Sequence, residues 1–370
     1  MFKLTCQIII GSYSFTQVNE VKIKRSIHSF VDTASIKIPA TARLHTSGDL
    51  KTVSVNNAAA SFMNEGDPVE IWLGYNQELQ LEFSGFVKRV NAATPCEIEC
   101  EGYSWPLRRK IILQNFKGKT LQAMLEHATA DTGIRLSENI PNIKLNQCLF
   151  ENQNGTEVLD WIKKNLFLTV YFSGNVLYAG LAYVELPQIA QAPKEGRKPI
   201  DGKLPALTFE REKQPVRYDM GWNVIKDDQL KFRKAADVKL QIRAVTFDKN
   251  NTPVTASFGD SKDPIRTIFV PYVSAATTLR ELAAGKLNEL KYDGYEGKIT
   301  TFLQPFSQPG TEAKITDRQY KEREGTYLLE STEVTFGTGG ARRICEVGVK
   351  ISKKDEQTTG TVAGGTAENQ

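Results

Sequence analysis

Side chains able to do chemistry are present in this sequence, but they are scattered. The three histidines, His28, His45 and His127, stand far apart. None falls in an HExxH or HxH spacing that would bring two imidazoles to one metal. Glu97, Glu99 and Glu101 occupy alternate positions of CEIECE, so they share one face of a strand. Glycoside hydrolysis needs two carboxylates about 5–10 Å apart around a cleft. A row of glutamates along one strand describes a solvated or ion-paired face instead. Cys96 and Cys100 also share a face, two side-chain repeats apart. A zinc site would need two further ligands at matching spacing, and none is apparent. GTGG at 337–340 lacks the Lys-Ser/Thr of a phosphate loop and reads as a hairpin turn. Gly155-Thr156 precedes a helical pattern, and capping explains it better than anion binding. No GxSxG, Walker or GxGxxG motif occurs. No catalytic, cofactor-binding or metal residue is assigned, and the expectation is a protein that is not an enzyme and needs no cofactor.

The bulk numbers fit that reading. The chain has 370 residues, room for two or three domains, and its 47 basic and 43 acidic residues leave a net charge of +4. The basic residues are spread out, and the short runs Arg108-Arg109-Lys110 and Arg342-Arg343 read as solvated faces rather than phosphate sites. Five cysteines are too sparse for a disulfide framework and are expected to be reduced and half-buried. The start, MFKLTCQIIIGSY, gives no signal peptide, and no run approaches the ~18–20 apolar residues of a membrane span.

The elements that would carry any site are mostly strands. Val21, Ile23, Arg25 and Ile27 alternate with polar residues, as do Ala34, Ile36 and Ile38 up to Pro39. Val69, Ile71 and Leu73 follow, then Leu81, Phe83 and Val87, then CEIEC. Short strands with turns between them predict a barrel or sandwich over 1–105, with 40–64 as a long polar loop. After Pro106 the period changes. Thr120 caps one helix, a second starts near Thr156, and 167–180 forms a hairpin turning at Gly174-Asn175, giving a small α/β region over 106–184. The four prolines within 185–206 mark a linker or crossover. Strands resume over 207–352, at 238–247 and 254–258 among others, with one helix near 278–292 striped by Leu279, Leu282, Ala283, Leu287 and Leu290. Asp227-Asp228 reads as a turn, and 353–370 as a mobile tail.

One pattern occurs twice. Gly66-Asp-Pro-Val69-Glu-Ile71 is answered by Gly310-Thr-Glu-Ala313-Lys-Ile315, and Gly85-Phe-Val87 by Gly325-Thr-Tyr327. Each unit closes with an alternating strand, Cys96–Cys100 in one and Ile344–Val349 in the other. Turn glycines at 66, 85, 310 and 325 would shape two similar β-barrels in one chain. The fold class expected is β-rich α+β, with two tube-like barrels or sandwiches flanking a small α/β region.

The runs GSYSFTQVNEVKIKRSIHSFVDTASIKIPA, EGDPVEIWLGY, FSGFVKRV and EIECEGYSWPLRRK, with the later TDRQYKEREGTYLLESTEVTFGTGGARRICEVGV, carry a resemblance. They are similar to the baseplate or tail hub proteins of contractile-tailed phages and related contractile injection systems, the late control protein D-like family. The resemblance implies a homotrimer whose six barrels form a pseudo-sixfold ring between a hexameric tail tube and a trimeric spike. It implies as partners the tail tube protein, a separate spike protein, and the tape-measure protein or baseplate wedge components, with DNA only as cargo in the lumen and no stable membrane insertion. It implies location at the virion tail tip or in an injection particle, after synthesis in the bacterial cytoplasm. The alternatives are a tail-tip cell-wall hydrolase and a carbohydrate- or receptor-binding module using Trp72, Tyr75 and Tyr103.

Overall fold

The computed structural model describes residues 3–39, 41–46, 49–54, 63–91, 95–146, 148–181, 215–248 and 250–351. The 185–206 linker expectation and the 353–370 tail expectation lie wholly outside these residues.

The first third forms strands β1 (Leu4–Ile10), β2 (Tyr13–Phe15), β3 (Glu20–Ser26), β4 (Ser29–Ile38), β5 (Thr41–Thr46), β6 (Asp49–Ser54), β7 (Pro68–Tyr75), β8 (Glu78–Asn91) and β9 (Cys96–Glu101). Alternation decides which residues go inward. Val21 and Ile23, Ala34, Ile36 and Ile38, Val69, Ile71 and Leu73, and Cys96, Ile98 and Cys100 all meet in one core with Ile8, Ile10, Phe83 and Val87. The segment 40–64 departs from the loop expected there. The backbones of β5 and β6 pair as a hairpin, Thr41 opposite Ser54, and extend the sheet beyond β2.

The middle region holds α1 (Ser104–Arg109), β10 (Ile111–Asn115), α2 (Leu121–Thr129), β11 (Arg135–Leu136), β12 (Leu149–Asn154), α3 (Gly155–Leu166), β13 (Thr169–Ser173) and β14 (Val176–Gly180). Thr120 caps α2, its Oγ1 accepting from Ala123 N at 3.2 Å. The cap of α3 is Asn154, one turn position earlier than the Gly155-Thr156 reading placed it. Asn154 Oδ1 accepts from Glu157 N at 3.0 Å, and Glu157 Oε2 accepts from Asn154 N at 2.7 Å, a reciprocal box worth about 1 kcal/mol. Gly155 abuts α1 closely, a Cβ there coming 3.0 Å from Leu107 O, so this helix start is filled by protein.

The last part holds β15 (Val216–Asp219), β16 (Val224–Arg233), β17 (Gln241–Phe247), β18 (Pro253–Phe258), β19 (Ile265–Phe269), α4 (Ala276–Leu290), β20 (Gly294–Thr301), β21 (Glu312–Thr316), β22 (Gly325–Gly337) and β23 (Gly340–Lys350). Asp227-Asp228 lies within β16 rather than in a turn. The three-stranded sheet β18-β17-β19 carries α4, and Leu279, Leu282, Ala283 and Leu287 join the core of the middle region. This helix is the leucine stripe read from the sequence.

One fifteen-stranded sheet organises the rest, in the order β16-β20-β23-β22-β3-β4-β9-β8-β7-β1-β2-β5-β6, with β21 on β22 and β15 on β21. The protein is therefore β-rich α+β. The two tube-like units are not separate closed barrels. Among the described residues the ladder closes on itself at neither end, and one continuous sheet wraps two cores. The first is the aliphatic core above. The second gathers Tyr218, Tyr295, Ile299, Ile315, Tyr327, Leu329 and Cys345.

Candidate assembly surface

The two cores are built by the same strand order. In the first it is β3-β4-β9-β8-β7-β1, and in the second β16-β20-β23-β22-β21-β15. The match extends to register. Val87, Arg89, Val90 and Asn91 of β8 face Cys100, Glu99, Ile98 and Glu97 of β9. Leu329, Ser331, Thr332 and Glu333 of β22 face Val347, Glu346, Cys345 and Ile344 of β23. Both ladders shift at one equivalent place, between Val87 and Arg89 and between Leu329 and Ser331, and the second ladder shifts once more between Tyr327 and Leu329. A bulge at one position in two ladders is a specific feature, since it sets the local bend and twist. The outermost strand differs: β1 runs antiparallel to β7, whereas β15 runs parallel to β21.

The four glycines singled out in the sequence lie in these repeats. Gly66 and Gly310 occupy the same turn, with φ of 90° and 80°. Gly66 N donates to Val87 O at 2.8 Å and Gly310 N to Leu329 O at 2.7 Å. The return bonds also match, Val87 N to Asp67 O at 2.9 Å and Leu329 N to Thr311 O at 3.0 Å. Gly85 and Gly325 do not superpose. Val69 faces Gly85, and the equivalent Ala313 faces Tyr327, so Gly325 falls two residues earlier in its strand. Gly85 is needed for close approach: a Cβ there would come 2.4 Å from Glu101 O.

The repeats join edge to edge. The first part of β22 pairs with β21, and its second part, Ser331–Gly337, pairs antiparallel with Ser26–Glu20 of β3. Val334 and Phe336 thereby complete the first core. Behind this junction lies a buried polar network that the sequence did not reveal. The Arg343 guanidinium holds Glu82 with two bonds, at 2.5 and 3.2 Å, and donates to the carbonyls of Ser307 and Leu303 at 2.9 and 3.1 Å. Burial would pull the Arg343 pKa down, but Glu82 more than offsets this and it is raised. Tyr218 Oη donates to Ser307 Oγ at 2.8 Å beside Cys345. Arg25 donates to Gln308 Oε1 at 3.4 Å, and burial lowers its pKa. Burial pushes the Asp32 carboxyl up to about 7, against the pull of Arg25. The only hint in the sequence was Arg25 standing at an inward position of an alternating run.

Several edges of the large sheet stay open among the described residues, the outer sides of β6 and β15 included. β16 ends the sheet with one side unpaired, and β8 carries no strand beyond Phe86 on the side where β7 pairs with it. β16 itself displays Ile225 and Phe232, near its two ends, and Trp222, 84% exposed, precedes it. Trp222 borders an open depression of about 650 Å³ shared with Asp219, Asp317, Arg318 and Tyr320.

The residues considered for catalysis are held in structural roles. Glu97 accepts from Ser35, and Glu99 accepts from Arg89 and Asn91. Glu101 is fully buried under α1, accepting from Ser104 Oγ at 2.7 Å and Arg108 Nε at 2.6 Å. His127 packs edge-on to Phe116. All five cysteines are free and buried, deeper than the half-burial expected. Tyr103 is buried as well, and Tyr75 Oη accepts from Leu303 N at 3.3 Å across the two repeats. No group of three or more His, Cys, Asp or Glu placed to hold a metal occurs among the described residues. No described helix is long and apolar enough to cross a membrane.

The two repeats thus form one edge-joined sheet whose ends are unpaired among the described residues. Solved structures give that architecture a context. A tail protein from Neisseria meningitidis superposes with a TM-score of 0.61 at 12% identity, over 93% of this chain and 96% of that one. The prophage MuSo2 tail protein from Shewanella oneidensis gives 0.57 at 13% identity, over 94% and 98%. A component of the Escherichia coli type VI secretion system, described as structurally similar to bacteriophage T4 tail proteins, gives 0.54 at 8% identity, over 95% and 77%. The chain thus has a fold found in phage tail proteins and in a type VI secretion component. No sequence-family description matches it, and no curated protein matches it in sequence.

Proposed function

We propose that this protein is the structural hub of a phage tail or contractile injection machine. Three chains would form a ring of six repeats, matching a hexameric tail tube on one face and a trimeric spike on the other. The observation that carries this reading is the duplicated six-strand unit whose copies already pair edge to edge within one chain. Duplication lets three chains imitate six, which is how a threefold partner and a sixfold partner can share one adaptor. Residues 1–105 and 207–352 would supply the two ring units, 106–184 with the small β17–β19 sheet an outer layer, 185–206 the crossover, and 40–64 an arm toward the next ring. Glycines 66, 85, 310 and 325 would serve strand geometry. The partners would be the tube protein, a separate spike, and tape-measure or wedge proteins, with DNA passing through. Its work would be assembly and force transmission at the tail tip rather than turnover.

Mass measurement in solution combined with low-resolution imaging tests this. The expected result is a threefold ring with an axial hole. A stable monomer with a deep acidic cleft would sink the reading and revive a cell-wall hydrolase.

A further inference from the structure

Within the chain, β22 divides its length between two neighbours on one side: β21 first, then β3. Its counterpart β8 begins in the same way, with β7, but has no second neighbour among the described residues. What β22 finds in that place is the outermost strand of the other repeat. The strand equivalent to β3 is β16, and its outer side is open. These two free edges do not pair with each other within the chain, and the junction between β22 and β3 lies between them in the sheet order.

We infer that the tail of β8 in one copy pairs antiparallel with β16 of a second copy of this chain, repeating in trans the junction that β22 and β3 make in cis. The inference rests on the ring reading and names the contact that would build the ring. The register follows by counting along the ladders. In cis, Thr332 faces Arg25 and Glu333 faces Lys24. Thr332 and Glu333 correspond to Val90 and Asn91, which hold the same places opposite Ile98 and Glu97. Lys24 faces Thr33 as Lys231 faces Glu296, and Phe232 follows, facing Tyr295. In trans, therefore, Val90 sits opposite Phe232 and Asn91 opposite Lys231.

The chemistry of the two edges agrees with this occupant. Unpaired strand backbone is a template for another strand. Phe232 is 38% exposed, an aromatic side chain of the kind that anchors interfaces, and Ile225, 44% exposed, stands at the other end of the same strand. Val90 is half-buried and apolar, and would cover Phe232 as a cross-strand pair. The contact uses two different surfaces of one chain. It is therefore heterologous, and successive copies either close a ring or continue as a filament.

Disulfide trapping decides it. Facing residues of an antiparallel pair have Cα atoms about 4.5–5.5 Å apart, within reach of a disulfide. The full-length double variant Val90→Cys/Phe232→Cys, and Asn91→Cys/Lys231→Cys as a second pair, would be oxidised and run on a denaturing non-reducing gel. Circular dichroism would check that each is folded. The expected result is a covalent trimer from both pairs and from neither set of single variants. Trimers in solution that never cross-link would overturn this contact while leaving the ring reading intact. A ladder of covalent species beyond trimer would keep the contact and remove the closed ring. A folded chain that stays monomeric and unlinked at the highest concentration it tolerates would remove both.

Discussion

The covered junction and the open edge occupy equivalent places in the two repeats, yet their chemistry is opposite. At the covered junction the ladder positions hold Arg25 and Asp32, two titratable side chains buried behind β22. At the open edge the corresponding positions hold Phe232 and Tyr295, whose rings meet edge-on with centroids 5.1 Å apart. One ladder further in, the polarity reverses: Arg343 stands in the second repeat and Cys96 in the first, opposite Thr301 and Ile38. A charge buried within one chain meets its partners as soon as the chain folds. An edge awaiting a separate copy must stay soluble first, and a neutral aromatic surface avoids burying an unpaired ion later. The two repeats keep the same strand order and bulge while their side chains differ, as the proposed division between cis and trans contact requires.

The largest expected effect breaks that comparison at its most polar point. Arg343→Met leaves the Glu82 carboxylate buried without its two bonds, and should lower stability in urea unfolding by about 4 kcal/mol. The double variant Arg343→Met/Glu82→Gln should recover part of this loss, since no uncompensated ion remains. Cys96→Ala, at the matching place in the first repeat, removes one small apolar group and should cost about 1 kcal/mol. Equal losses at the two sites would end the claim that the repeats have diverged in chemistry.

A pH titration sharpens the same contrast. The folded-state pKa of Asp32, about 7, lies above the ordinary value for an aspartate, so the folded chain binds its proton more tightly than the unfolded chain does. This carboxyl's contribution is fully present below about pH 4 and is lost as pH rises through 7. Between pH 4.5 and 7.5 the loss should be on the order of 3 kcal/mol. Asp32→Asn should flatten that part of the stability profile, whereas Tyr295→Phe in the second repeat should leave its slope unchanged. An unchanged slope in Asp32→Asn would show that Arg25 keeps the carboxylate charged.

These tests rest on features of unequal visibility in the sequence. Alternation made the strands legible, because one side of each faces a core: Val21, Ile23, Ala34, Ile36 and Ile98 are all buried as their spacing requires. The turn shared by Gly66 and Gly310 was legible because a left-handed backbone selects glycine. The register of the second strand was not. Its Gly85 is set by a neighbour from β9, and the matching residue is Tyr327, so aligning glycine with glycine slips by two. The partners of Arg343 were hidden for a different reason. Glu82 stands 261 positions away, and a single charged residue carries no mark of a contact at that distance. The hairpin of β5 and β6 was missed because Ala42, Leu44, Leu50 and Val53 are its only apolar residues, too few to mark two strands within a polar segment.

Gly85 offers the next test, intermediate in size. A methyl group there meets the Glu101 carbonyl at 2.4 Å and the Phe83 ring at 2.8 Å, so Gly85→Ala should cost roughly 2 kcal/mol. Gly339→Ala, in the hairpin of the second repeat, meets nothing within 4 Å and should be close to neutral. If both are neutral, the approach of β8 to β9 is looser than the register implies.

The smallest expected effect asks whether the repeats are still alike where they look alike. Gly66 and Gly310 have nearly the same φ and donate the same bond to the same position of the following strand. An alanine at either site must hold a left-handed backbone that its Cβ opposes, at a cost of roughly 1 kcal/mol. Gly66→Ala has room for its methyl group, the nearest atom being Trp105 Nε1 at 3.6 Å, so its cost should come from the backbone alone. The two variants should therefore lose equal stability in urea unfolding, and the double variant should lose their sum, because the turns share no partner. A loss at Gly66 well above that at Gly310 would show that the first turn carries load the second does not. The equivalence of the two repeats would then stop at their strand order.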